Sequence, residues 1–111
     1  MALVSWARMM TNAIPELRLL FAIPNGGARN PKVAEQLKAE GVKAGVPDYF
    51  LPVARRNFHG LFVELKALDG VESPSQKEFR ERAQDQGYRC VVARGAEVAI
   101  DLIYNYLQET T

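Results

Sequence analysis

The chain has 111 residues, a single Cys, a single His and a net charge of +1 at pH 7. That length suits one domain with one core, and one Cys with one His excludes both an internal disulfide and a Cys/His zinc site. Bulk charge does not announce a nucleic-acid partner, so any DNA surface must come from local patches.

Hydrophobic residues make up 48% and charged residues 24%, an ordinary globular balance. No apolar run reaches about 18 residues, so no membrane partner is expected, and the N-terminus lacks the order of a secretory signal. Cys90 lies in an apolar run and is expected to be a buried thiol in a reducing, cytoplasmic compartment.

In chain order, residues 2–13 read as a helix, with Leu3, Ala7 and Met10 at helical spacing and Pro15 ending it. Leu19 to Ile23 reads as a short buried strand, broken by Pro24-Asn25-Gly26-Gly27. Asn30-Pro31 is an N-cap with proline at the first helical position, opening a helix with Val33, Ala34 and Leu37 on one face. Gly41 suits that helix's C-terminal cap, and a loop runs on to Pro47. Asp48 to Val53 and Phe58 to Ala67 read as strands joined by the turn Ala54-Arg55-Arg56-Asn57. Ser73-Pro74-Ser75-Gln76 is a capping box opening a helix that runs to about Gln86, with Phe79 and Ala83 facing inward. Tyr88 to Ala93 is a strand, and a final helix from about Ala96 to Leu107 should bury Val98, Ala99, Leu102, Ile103 and Tyr106.

The order is α-β-α-β-β-α-β-α, without repeats or linkers. Phe58 to Leu65 is apolar on both faces apart from His59 and Glu64, as in a strand covered by helices on both sides. The expectation is an α/β sandwich around a central mixed sheet of about four strands, with a parallel crossover between Phe58 and Ala93.

Glu64 and Lys66 share one strand face, because alternate residues point the same way. For these two alone a terminal salt bridge is a sufficient reason. A hairpin that brings Asp48 to Glu64 changes the reading. Two carboxylates supply hard oxygen ligands for Mg²⁺ or Mn²⁺, and the carbonyl of Leu65 is a further ligand candidate. A metal-bound water becomes a nucleophile, and the Lys66 ammonium suits the charge that builds on an attacked phosphate. Gln76 has two readings, the capping box itself or a place in this site. His59 is expected on the strand face opposite Glu64. The DNA-contact candidates are Arg29 with Lys32, then Lys43, Arg55 and Arg56, then Lys77, Arg80 and Arg82; each is also compatible with a solvated surface. Asn25, Gly26 and Gly27 read as a tight turn or as backbone that lets a phosphate come close.

Pro47-Asp48, a step of sixteen residues to Glu64, then Glu64-Leu65-Lys66 resembles the PD-(D/E)xK nuclease signature. Together with Ile23-Pro24-Asn25-Gly26-Gly27, the run Gly41 to Asp48, His59 to Lys66, and Ser73-Pro74-Ser75-Gln76, the chain resembles the virus-type replication-repair nuclease domain, VRR-NUC. The resemblance covers nearly the whole of residues 1–111, taken as one domain. It implies a restriction-endonuclease-like fold and Mg²⁺- or Mn²⁺-dependent endonucleolytic cleavage of DNA, with branched DNA such as four-way junctions or flaps as substrate. It also implies a homodimer, a phage or prophage origin in a bacterial cytoplasm, and no organic cofactor. By motif position Asp48 and Glu64 are the metal ligands, Lys66 the catalytic lysine and Gln76 the glutamine that follows.

The family usually carries a glutamate on the first helix. Here no acid precedes Glu16, which follows Pro15. Either the first metal shell is incomplete or the start of the first helix is missing. The alternative function is therefore a catalytically weak or inactive DNA-binding or assembly module on the same fold.

Overall fold

A computed structural model describes residues 2–24 and 30–109 of the chain. The first helix, α1, spans Ala2–Met9 and buries Leu3 and Ala7, one turn apart. It is shorter than expected: the chain loosens into turns at Met10, before a 3₁₀ turn at Pro15–Leu19. The strand β1 covers only Phe21–Ala22, and both residues are exposed. The expected buried strand at Leu19 to Ile23 is thus a two-residue edge, which pairs on one side only.

The helix α2, Pro31–Ala39, is capped by Asn30, whose side chain accepts from the Val33 N–H. Its apolar residues find little cover: no residue of α2 is fully buried, Leu37 is half-buried and Val33 is 41% exposed. Strands β2, Tyr49–Leu51, and β3, Leu61–Lys66, form the expected antiparallel pair. Their connection closes with reciprocal backbone hydrogen bonds between Arg55 and Phe58, and Arg56 adopts φ +50°. The helix α3, Pro74–Asp85, leads to β4, Arg89–Arg94, and α4 spans Ala96–Gln108.

The sheet order is β1-β2-β3-β4, with β3 and β4 parallel and the other pairs antiparallel. The fold is α/β, a mixed four-stranded sheet with helices on both faces. Strand alternation separates two environments. Leu61 and Val63 of β3, Tyr49 and Leu51 of β2 and Ala93 of β4 form the dry core with α1 and α4. Phe62, Glu64 and Lys66 face the other way, where Phe62 meets Phe79 of α3 at 5.3 Å between ring centroids. This second face is only half covered, so β3 is less enclosed than its apolar sequence suggests. In α4, Ala99, Ile103 and Tyr106 are buried as expected, but Val98 is 44% exposed and Leu107 is buried instead. Cys90 is half-buried on the α3 side, and burial pushes its thiol pKa up to about 11, an inert thiol at neutral pH.

Tyr106 donates its hydroxyl to the buried Val53 carbonyl at 2.6 Å, tying the end of α4 to the end of β2. Removing one partner of a buried hydrogen bond leaves the other unsatisfied, at about 1–3 kcal/mol. Tyr106→Phe is therefore expected to lower the thermal midpoint by several degrees in calorimetry without changing the circular dichroism of the folded state. An unchanged midpoint would show that water replaces the lost hydroxyl.

Candidate active site

The pairing of β2 with β3 sets the site. Tyr49 lies opposite Val63 and Phe50 opposite Phe62. One further step along this register puts Asp48 opposite Glu64, and directly opposed residues share a face. At this position a side chain extends the ladder: Asp48 Oδ2 accepts from the Leu65 N–H at 2.8 Å. The Asp48 carbonyl in turn accepts from the Ile23 N–H at 2.7 Å, so the residue is held from both sides.

Glu64 is 8% exposed, the buried charged residue of the described chain. Its Oε2 accepts from Gln76 Nε2 at 3.1 Å. Gln76 Oε1 accepts from the Ser73 N–H at 2.8 Å, and the Ser73 hydroxyl accepts from the Gln76 N–H. Both sequence readings of Gln76 hold together: its amide oxygen completes the capping box, which leaves its amide nitrogen to reach Glu64. The Ser73 N–H thereby fixes which end of the amide faces the carboxylate.

The other oxygen, Glu64 Oε1, is buried without a hydrogen-bond partner among the described residues. Burial first, then the charge of Asp48 and the carboxyl–carboxylate hydrogen bond with Asp48 that only a protonated Glu64 can donate, push the Glu64 pKa from 4.5 up to about 7, against the opposing charge of Lys66. Lys66 is half-buried on the Glu64 face and, among the described residues, belongs to no ion pair. The salt-bridge reading of Glu64 and Lys66 therefore has no counterpart here.

Two residues near this centre escaped the sequence reading in their present roles. Glu72 takes both guanidinium nitrogens of Arg80 at 2.9 Å each, and that hydrogen-bonded partner holds its carboxyl below the ordinary range. Arg80, a DNA-contact candidate, is committed to this fork. Arg94, beside Lys66 in the β3–β4 register, donates to the carbonyls of Ala67 and Gly70 and pins the turn after β3. No short sequence spacing signals either arrangement.

The remaining candidates are not brought together with Glu64. Arg55 donates to Glu16 and to the Leu107 carbonyl, and Arg56 pairs with Glu109; both sit at the other end of β3. Glu16 is thus held by Arg55. His59 lies at that same end, with its ring 5.7 Å from Tyr88. Tyr88 also meets Phe62 on the Glu64 side, so His59 is displaced along the sheet rather than placed across it. Lys43 lies in the loop after α2 and lines an open groove beside α3. Asn25, Gly26, Gly27 and Arg29 lie outside the described residues.

A divalent cation fits this donor set. A buried carboxylate oxygen without a donor, beside a second carboxylate, is relieved either by a proton or by a cation. Among the described residues no group of three His, Cys, Asp or Glu side chains is placed to hold a metal, and Glu72 is committed to Arg80, so Asp48 and Glu64 would have to hold an ion as a pair.

The VRR-NUC domain model matches residues 3–97. The chain belongs to the VRR-NUC family. A solved structure described as a VRR_NUC domain protein superposes with a TM-score of 0.71 at 33% identity, over 86% of this chain and 74% of that one. No curated protein matches. Family membership makes this a nuclease-type domain and implies DNA as its substrate. No helix among the described residues is long and apolar enough to cross a membrane.

The raised pKa of Glu64 has a stability consequence with a definite sign. Between 4.5 and about 7 the folded VRR-NUC chain holds a proton on Glu64 that the unfolded chain has released. Stability contributed by this group therefore falls as pH rises through that window and levels off above it. In EDTA, the wild type is expected to lose more stability between about pH 5 and about pH 8 than Glu64→Gln, which does not titrate. Urea unfolding across that range reads the difference, and parallel curves would show that Glu64 ionises as easily in the fold as in the open chain.

Proposed function

We propose that this domain is a Mg²⁺- or Mn²⁺-dependent endodeoxyribonuclease that hydrolyses phosphodiesters of branched DNA, such as four-way junctions or flaps. The observation that carries the reading is the buried, unpartnered Glu64 oxygen on the same face as Asp48 and Lys66. Asp48 and Glu64 would hold the ion. The Leu65 carbonyl is a third candidate, because in an extended strand a residue's N–H and C=O face the same neighbour, and the Leu65 N–H points at Asp48. When bound, the ion supplies an acidified water and a Lewis acid for the phosphate.

The chain's own groups do the rest. Gln76 fixes one oxygen of Glu64 and so aims the other. Asp48 is locked by the Leu65 N–H, which limits the freedom of its second oxygen. Lys66 carries a positive charge that, among the described residues, belongs to no ion pair, so it is available to charge developing on phosphate. The preference for branched DNA and a homodimer with one site for each of two symmetry-related strands rest on the family resemblance.

One observation favours the second reading, a weak or inactive DNA-binding module on the same fold: the described residues offer two clustered acids and no third. A panel of branched and linear DNAs with Mg²⁺, Mn²⁺ or EDTA separates the two. Cleavage in metal alone supports the nuclease; tight binding without cleavage in either metal supports the module.

Lys66→Ala is expected to cut cleavage by about a hundredfold or more while leaving the fold and Mn²⁺ binding in place. Calorimetric Mn²⁺ titration beside a cleavage assay reads both. Wild-type cleavage by this variant would assign the lysine a structural role.

A further inference from the structure

Alongside the Glu64 site runs an open groove of about 830 Å³ that the metal chemistry does not use. One wall is the loop after α2, with Val42, Lys43 and Ala44; the other is α3, with Phe79, Arg82 and Ala83. Phe62 and Tyr88 form its floor. These rings already make a cluster: Phe62 lies 5.6 Å from Tyr88, 5.3 Å from Phe79 and 4.3 Å from Phe50, all half-buried. Aromatic side chains left half-open in a groove offer edges and faces on which a planar ring can stack.

The charge at the rim selects among planar ligands. Lys38, Lys43 and Arg82 line the groove against one acid, Glu78, which pairs with Arg82 at 3.2 Å. Among the described residues Lys38 and Lys43 belong to no ion pair. An aromatic floor with an unpaired cationic rim matches a base attached to phosphates.

The groove also lies in register with the site. Phe62 and Glu64 are two residues apart on one strand face, about 6–7 Å. Ser75 lines the groove, and the next residue, Gln76, holds Glu64. A base paired within a duplex cannot reach such a floor; it must first leave the stack.

We propose that this groove receives an unpaired nucleotide of the DNA substrate next to the scissile phosphate, its base against Phe62 and Tyr88 and its phosphates at Lys38 and Lys43. This rests on reading the Glu64 site as a nuclease centre. It makes an unpaired base beside the cut, rather than a junction's overall shape, the feature that selects the substrate.

The test measures binding in EDTA, so that it does not depend on cleavage. The probes are a flapped duplex with 2-aminopurine as the first unpaired base and a fully paired duplex of the same sequence. The wild type is expected to bind the flapped probe at least tenfold tighter and to change the 2-aminopurine fluorescence on binding. Ala83→Leu, which narrows the groove, should remove that preference while leaving duplex affinity unchanged. Lys38→Glu with Lys43→Glu, both on exposed positions, should weaken binding of the flapped probe more than of the duplex. Binding of the flapped probe with no fluorescence change in the wild type overturns the proposal, whatever the variants do. So does a folded Ala83→Leu protein that keeps the preference, or one that changes the sedimentation of the free protein, which would make the groove a contact between copies of this chain. A protein that cleaves DNA in Mn²⁺ without the fluorescence response would lose the groove and keep the nuclease.

Discussion

Asp48 and Glu64 meet because β2 and β3 pair in one antiparallel register, and everything at the candidate site depends on that alignment. A slip of one residue would turn Glu64 and Lys66 into the core and Leu65 out of it. Two features resist the slip. Leu61 and Val63 are buried against α1 and α4 on the opposite face, so the apolar set fixes the parity of β3. At the open end of the ladder, where strand pairing stops, the Leu65 N–H bonds the Asp48 carboxylate itself. This candidate acid is thus part of the strand's own hydrogen-bond accounting.

The fold tolerates at this end what it excludes elsewhere. The α1–α4 side of the sheet is dry and carries the stability. The α3 side is half covered and holds a buried carboxylate whose pKa rises to about 7 because of burial and of Asp48. Such an arrangement disfavours the charged, ligand-free state, and a cation would reverse the penalty. The same side carries the aromatic cluster of Phe50, Phe62 and Tyr88, which is less buried than the core and open to a ligand. The core and the candidate site are divided between the two faces of one sheet by the period of two along β3.

What was legible in the sequence follows the range of the interaction. Local signals were read correctly: the Asn30 cap, the capping box at Ser73, the turn between β2 and β3, and the parity that joins Glu64 to Lys66. The hairpin that opposes Asp48 to Glu64 was legible from its turn, although β2 and β3 are shorter than the expected strands Asp48 to Val53 and Phe58 to Ala67. The errors fall where packing decides. Val33, Val98 and Phe21 carry strand or helix periodicity, yet each lies where no second layer covers it. Arg55 and Arg80 looked like surface cations, but their carboxylate partners stand 39 and 8 residues away, distances no periodicity encodes. Glu16, which follows Pro15 and had no place in the expected metal site, is the acid that claims Arg55.

The Glu64 site and the aromatic groove share one fixed point, the first turn of α3. Its capping box positions Gln76, and Gln76 positions Glu64. The loop that walls the groove returns to the same turn: Gly45, at φ +87°, packs so closely that a side chain there would collide with the Ser75 carbonyl. A glycine is required on both counts, the positive φ and the close approach. From Gly45 the chain reaches the buried Pro47 and then Asp48, so the loop that shapes the groove also delivers the first acid to the site. The Asp48–Glu64 spacing of the motif is therefore only half of the constraint. The other half is the contact between Gly45 and the start of α3, which sets where the β2 strand begins relative to the helix that orients Glu64.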